Sequence, residues 1–238
     1  METENLLYEG KAKKLFKTNE PNVLRVEYLD QTTALNGAKK DIVTGKASLN
    51  NQITALVFER LTHEGIQNHF IKKKSKNEQL VEAVEIVQLE VVIRNVSAGS
   101  FAKRLAIAEG TPLAFPIIEF YYKDDALDDP LINEDHIKIL QIATEDEIKT
   151  IKMQTYKINE ALIKLFKKIG ICLIDFKIEF GRRDDGTILL ADEITPDTCR
   201  LWDEKTGDRL DKDLYRKNLG DIVPVYQEVL ERLEKIAD

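Results

Sequence analysis

Only two cysteines, Cys172 and Cys199, occur in the 238 residues. Their spacing fits neither a metal site nor a redox pair, so a reducing, cytoplasmic location is the default expectation. Histidine is nearly as scarce. His63, His69 and His136 are scattered, which argues against a histidine-held metal and makes each a surface or satisfied polar residue. No apolar run approaches the roughly 20 residues that cross a bilayer, and residues 1–16 lack the apolar core of a signal peptide, so no membrane is expected as a partner. An excess of basic charge is missing too. The formal net charge is −7 and the sequence pI ≈ 5.2, which disfavours a nucleic-acid binder. If the ligands are phosphates, the basic residues have to be gathered at one place. There is no internal repeat and no linker rich in Pro, Gly or Ser, so any domain division lies in a short connection.

What is present reads as a mixed fold. Leu24, Val26 and Tyr28 alternate with Arg25 and Glu27, as in a half-buried strand. Leu49, Ile53, Leu56, Val57 and Leu61 recur at helical spacing, with Gly65 suited to the cap. Residues 87–94 predict a strand with Val87, Leu89, Val91 and Ile93 on one face. A helix is expected over 98–109, closed by Gly110, then a strand over 117–123 and an acidic loop over 124–130. Thr144 with Glu147 forms a capping-box pattern opening a long helix that ends near Gly170. Residues 172–180 and 187–194 predict a hairpin with its turn at 181–186, and Asp221 caps a last amphipathic helix that tolerates Pro224 in its first turn. Strands and helices mix without regular βαβ alternation. The expected class is α+β with mainly antiparallel sheets.

The hairpin carries the densest chemistry. Alternation assigns Cys172, Ile174, Phe176, Ile178 and Phe180 to the core face and puts Asp175, Lys177 and Glu179 in a row on the other. From this strand alone, an exposed charged edge explains the row as well as a site does. On the partner strand, Asp192 and Glu193 follow the apolar run 188–191, a poor place for carboxylates unless something compensates them. The expected register sets Asp192 opposite or diagonal to Asp175 or Glu179. Carboxylates gathered there point to magnesium, which takes one or two of them plus phosphate oxygens, whereas zinc would want His or Cys. The polar loop 195–203 carries Arg200, suited to gripping phosphate. Lys11, Lys13 and Lys14 around Gly10 could cover a polyphosphate or simply make an exposed basic turn; the stretch is not a Walker loop. Glu90 and Arg94 share a strand face, and Ser97 to Ser100 opens a helix where Ser100 adds a hydroxyl to free N–H groups; a plain cap with a surface arginine is the alternative.

Three stretches, YEGKAK from Tyr8, LEVVIRNVSAGS from Leu89 and LADEITPDTCRLWD from Leu190, closely resemble the SAICAR synthetase family of purine biosynthesis. The likeness runs to the last helix. It implies an ATP-dependent ligase that joins L-aspartate to the carboxylate of carboxyaminoimidazole ribonucleotide, giving SAICAR, ADP and phosphate. It also implies two α+β lobes with an ATP cleft between them, drawn here as 1–85 and 86–238, and a homodimer. By motif position, Gly10, Lys11, Ala12, Lys13 and Leu15 should meet ATP, and Glu82, Val84 and Ile86 should border its adenine. Glu179 and Asp192 should hold Mg²⁺. Arg94, Ser100 and Arg200 should bind the ribonucleotide phosphate, with Lys123 and Asp129 in a loop closing over the site. Glu90, Asp175 and Lys177 should surround the reacting groups. Two positions depart from the family pattern: Gln31, in a stretch that often has paired acids, and Asn36, where some members have Asp. A small-molecule kinase and a nucleotide-binding regulatory module are the competing readings of the same residues.

Overall fold

The computed structural model describes residues 5–34 and 39–236; Asn36 lies outside the described residues. A five-stranded antiparallel sheet comes first, built from β1 (Leu6–Glu9), β2 (Lys13–Lys17) and β3 (Val23–Tyr28). A two-stranded ribbon follows, β4 (Gln31–Ala34) with β5 (Lys39–Ile42), and then helix α1 (Lys46–His63). The chain completes the first sheet with β6 (Phe70–Lys73) and β7 (Glu78–Glu82), in the order β1-β2-β3-β7-β6. Gly65, in the left-handed region, ends α1 as expected, with its N–H bonded to the Thr62 carbonyl at 2.9 Å.

Residue 85 begins the second sheet. Its strands are β8 (Glu85–Ile86), β9 (Leu89–Val96), β10 (Pro112–Tyr122), β11 (Leu131–Ile132), β12 (Ile171–Arg182), β13 (Ile188–Ala191) and β14 (Cys199–Asp203). Between them stand α2 (Gly99–Leu105), α3 (Glu134–Ile139) and α4 (Glu145–Lys168); α5 (Asp213–Arg216) and α6 (Ile222–Glu234) follow. The expected α+β class with antiparallel sheets is observed: every ladder between these strands is antiparallel. The core does not stop at residue 85. Val57 of α1, Ile93 of β9, Ile158 of α4 and Tyr226 of α6 are all fully buried in one apolar cluster, and α1 packs on α6. Helix α4 earns its place by period: Ile148, Ile151, Ile158, Leu162 and Phe166 line one side, and the Thr144–Glu147 capping box closes its first turn.

Strand β12 organises the sheet. Along one edge it pairs with β9 and then β8, along the other with β14 and then β13. Its pairing with β14 slips by one residue: Leu173 faces Leu201, but Asp175 faces Arg200, so Ile174 is the extra residue of a bulge. Alternation restarts there. Ile171 and Leu173 point into the core before the bulge, and Phe176, Ile178 and Phe180 after it. Cys172 is therefore exposed, contrary to the core position expected from unbroken alternation.

Other boundaries moved for local reasons. α2 ends at Leu105 rather than Glu109, because Ala106 turns left-handed (φ 54°) and the Ile107 N–H bonds back to the Ala102 carbonyl. β9 begins two residues later than expected, since Val87 lies in the turn from β8 and gives its N–H to Phe180. β10 starts earlier, at Pro112, across a register slip before Ile117. β12 continues to Arg182, which shifts the hairpin turn to 183–187. Gly181 needs no unusual backbone; a Cβ there would lie 2.3 Å from the Val84 side chain, which crosses the strand at that point.

Candidate active site

Lys177 stands where three carboxylates meet. Its Nζ lies 2.6 Å from Glu179, 3.4 Å from Glu90 and 3.5 Å from Asp192. Two strand relationships make this meeting. Glu179 follows Lys177 by two residues on the same face of β12, and Glu90 is the diagonal neighbour on β9, where Lys177 opposes Val92. Asp192 arrives because the β12–β13 ladder ends at Glu179 opposite Ala191, which puts Asp192 just past it, at the Glu179 end rather than beside Asp175. Two more lysines close the cluster: Lys13 contacts Asp192 and lies 3.4 Å from Glu193, and Lys123 is 3.1 Å from Glu179. The carboxylates expected to need a metal between them are thus compensated by three ammonium groups.

Burial opposes charge on each of these groups, and pairing decides the outcome. It would raise the Asp192 pKa, but Lys13 and Lys177 outweigh it and hold the carboxyl well below its usual range. Lys177 and Lys13 are held above theirs against the same penalty, Lys177 by Glu179 and Lys13 by Asp192. Glu193 goes the other way: burial raises its pKa, and the charges of Asp192 and Asp197 add to that against the relief from Lys13. Both Glu179 and Asp192 reach the one point held by Lys177 Nζ. Among the described residues no group of three Asp, Glu, His or Cys side chains could hold a metal alone. Magnesium does not require one, since it ordinarily combines one or two carboxylates with phosphate oxygens and water. The pair fits it.

Asp175 forms the second centre. Register places it between Arg94 of β9 and Arg200 of β14, one on each side. Its Oδ2 accepts from Arg94 Nη1 at 2.7 Å and from Arg200 Nη1 at 2.9 Å. Arg94 also reaches Glu119 at 2.9 Å, the Ser100 hydroxyl at 3.2 Å and the Tyr121 hydroxyl at 3.3 Å. Arg200 Nε is held by Asp213 at 3.0 Å. Both guanidinium pKa values stay above the usual range, burial notwithstanding, with Asp175 the strongest opposing charge. Gly99 leaves room for this packing: a Cβ on it would sit 2.4 Å from Arg200 Nη2. The next helix begins at Gly99 with Ala98 as its cap, which offers its first N–H groups no side-chain acceptor. A cavity of about 280 Å³ lies over Asp175, Lys177, Arg94 and Arg200, and Glu90 and Ser100 line it too.

The remaining expected residues lie around this centre. Lys11 is exposed and reaches across to Asp125 at 2.6 Å, so the Gly10–Ala12 turn touches the acidic loop. Leu15 packs in a small cluster with Val26 and Val81. Glu82 makes a bidentate pair with Arg183 at 2.6 and 2.8 Å, and Val84 lies over Gly181. Ile86 lines a separate groove of about 850 Å³ with Tyr122 and Arg182. Asp129 does not join the cluster; its Oδ1 accepts the Asp124 N–H at 2.9 Å within its own loop.

Several residues at the site were not singled out from the sequence. Glu119 and Tyr121 alternate along β10, and Lys123 continues the alternation just past its end, a signal that was readable. Asp197, Thr198 and Arg216 line the cavity as well. Asp197 is held from behind by buried Lys46 at 2.9 Å and by the Tyr226 hydroxyl at 2.5 Å, across 151 and 29 residues. No local pattern announces that. His69, expected to be a satisfied polar residue, is one, but at the site: its Nε2 lies 3.1 Å from the Asp192 carbonyl. Burial pushes the imidazole pKa down to about 4, so the ring is neutral.

Among known proteins, a family model described as SAICAR synthetase matches residues 6–233. The phosphoribosylaminoimidazole-succinocarboxamide synthase of Enterococcus faecalis (strain ATCC 700802 / V583) is 64% identical over 233 residues, 98% of each chain. The crystal structure of the enzyme of that name from Ehrlichia chaffeensis superposes with a TM-score of 0.95 at 47% identity, covering 98% of this chain and 99% of the other. A SAICAR synthetase (Type-2) in complex with ADP gives 0.93, also at 47% identity, covering 96% and 97%.

Proposed function

Since the chain belongs to the SAICAR synthetase family, and is an ATP-dependent ligase of purine biosynthesis, we propose that it joins L-aspartate to carboxyaminoimidazole ribonucleotide through an acyl phosphate. The kinase and regulatory-module readings give way with that membership. The observation that carries the finer reading is the pairing of two centres on one strand, Arg94 and Arg200 around Asp175 and three carboxylates around Lys177. One suits a phosphorylated substrate and the other a nucleotide with its metal.

In this reading ATP lies in a cleft between lobes 1–85 and 86–238, with Lys11 and Lys13 toward its phosphates and residues 82–86 beside the base. Glu179 and Asp192 would hold Mg²⁺, which would withdraw charge from phosphate oxygens. Arg94, Arg200 and Ser100 grip the ribonucleotide phosphate. Lys177 then faces the substrate carboxylate. One carboxylate oxygen attacks the γ-phosphorus, a P–O bond forms and ADP leaves. The aspartate amine attacks the carbonyl carbon, loses a proton, and phosphate departs. Negative charge grows on phosphoryl and carboxyl oxygens in both steps, and Lys177 is the ammonium positioned to meet it. Lys123 and Asp129 belong to the loop over the site. The two free thiols, one of them exposed, suit a reducing compartment such as the cytoplasm. Among the described residues no helix is long and apolar enough to cross a membrane.

The test is ADP release with each substrate omitted in turn, followed by label transfer. Turnover should require ATP, aspartate and the ribonucleotide together. Oxygen-18 in the substrate carboxylate should appear in the released phosphate; its absence there would rule out the acyl phosphate.

A further inference from the structure

Asp192 has an unusual backbone. It follows the last ladder pair of β13 and turns left-handed at φ 59°. Aspartate enters that conformation more readily than most non-glycine residues, and here a side chain from elsewhere in the chain bonds to it. The holding group comes from the segment that leads into β6. Residues 67–69 run beside β13: the Leu190 N–H bonds to the Gln67 carbonyl at 3.2 Å, Asn68 bridges Leu190 in parallel sense, and the His69 N–H bonds to the Leu190 carbonyl at 2.9 Å. The His69 carbonyl in turn accepts the Glu82 N–H at 2.7 Å, where β7 ends. The imidazole is 7% exposed, fixed beside the Phe58 ring at 5.8 Å between centroids, and its Nε2 meets the Asp192 carbonyl at 3.1 Å. A carbonyl only accepts, so Nε2 carries the proton and donates.

We infer that His69 is a positioning residue for Asp192: its Nε2–H pins the Asp192 carbonyl and so aims the carboxylate toward the nucleotide's metal. The inference rests on the reading of Asp192 as a magnesium carboxylate. It assigns His69 no contact with substrate. A rigid ring suits the task, because one buried hydrogen bond from a side chain with few rotamers fixes a turn that the strand ladder has already released. Partners that orient a metal carboxylate typically contribute 10–100-fold to metal affinity.

The test is calorimetric titration of ADP, with and without Mg²⁺, into the wild-type protein, His69→Leu, His69→Gln and Asp192→Asn. His69→Leu removes the donor and should lower the Mg²⁺-supported ADP affinity roughly tenfold, leaving the Mg²⁺-free affinity unchanged. His69→Gln restores a donor and should recover most of the loss. His69→Met serves as a second donor-free variant if leucine does not pack. Equal losses with and without Mg²⁺ would put the ring against the nucleotide itself and overturn the inference. Wild-type affinity in both donor-free variants would overturn it too. Asp192→Asn separates the two levels: a Mg²⁺ gain that survives there overturns the metal reading, whatever His69 does.

Discussion

The ammonium of Lys13, on β2 of the first sheet, lies against the carboxylate of Asp192, which follows β13 of the second. One ion pair thus joins the lysine proposed for the ATP phosphates to the carboxylate proposed for the metal. Asp192→Asn is expected to lower turnover by roughly 100-fold or more while moving the melting temperature by only a few degrees. Folding is spared because Lys13 keeps Glu193 at 3.4 Å and Lys177 keeps Glu179 at 2.6 Å. Steady-state kinetics beside thermal denaturation checks this, and near-normal turnover would remove Asp192 from the metal site.

Arg200→Ala should raise KM for the ribonucleotide at least tenfold and leave KM for ATP nearly unchanged, since Arg200 pairs with Asp175 and Asp213 rather than with the Lys177 cluster. Gly99→Ala should act in the same direction. Its Cβ would lie 2.4 Å from Arg200 Nη2, and φ +55° disfavours any side chain. An equal rise in both constants would locate Arg200 elsewhere.

Asp211 should make the fold less stable as pH rises from about 4 to 6. Burial and then Asp213 push its pKa up to about 6, although its oxygens accept the N–H groups of Leu201 at 2.9 Å and Asp213 at 2.7 Å. The unfolded carboxyl titrates near 3.9, so in this window the native state binds more protons than the unfolded one. Stability is present below the window and lost as pH rises through it, on the order of 3 kcal/mol in all. Asp211→Asn carries a pH-independent cost instead. Urea midpoints at pH 4.5 and 7 should therefore converge for the variant relative to wild type; parallel changes would contradict the assignment.

A thiol reagent should label one cysteine of the native protein quickly. Cys172 is exposed, whereas Cys199 is buried and its thiol pKa is pushed well up by that burial. Cys172→Ser should abolish the fast phase, and Cys199 should react only on unfolding.

That last test probes what the sequence could not reveal about β12. The charged row Asp175, Lys177 and Glu179 was legible, because alternation survives wherever a strand is regular, and so were the capping box of α4 and the caps of α1 and α6. The bulge at Ile174 was not: it follows from the competing registers of β9 and β14, which only the assembled sheet defines. The motifs also identified Arg94 and Arg200, yet gave no sign that both grip Asp175. Lys46, Tyr226 and His69 stayed hidden for the same reason. Each acts at the site through a residue far along the chain, and no periodicity encodes such a meeting. Glu119 and Tyr121 were different, standing in plain alternation with Lys123.

The bulge has a consequence for how this chain tolerates change in length. Upstream and downstream of Ile174, β12 satisfies the core with opposite parities, so the strand's residue count is itself a constraint. Deleting Ile174 would remove one apolar residue from a strand rich in them, and composition would scarcely register it. Leu173 would then stay inward beside an outward Asp175, so that deletion keeps both faces, whereas loss of Ile178 would turn either Glu179 into the core or Lys177 away from its partners. A single-codon deletion is therefore absorbed at the bulge and not beyond it, and a deletion scan across β12 should find tolerance at Ile174 and loss of the fold from Lys177 to Phe180.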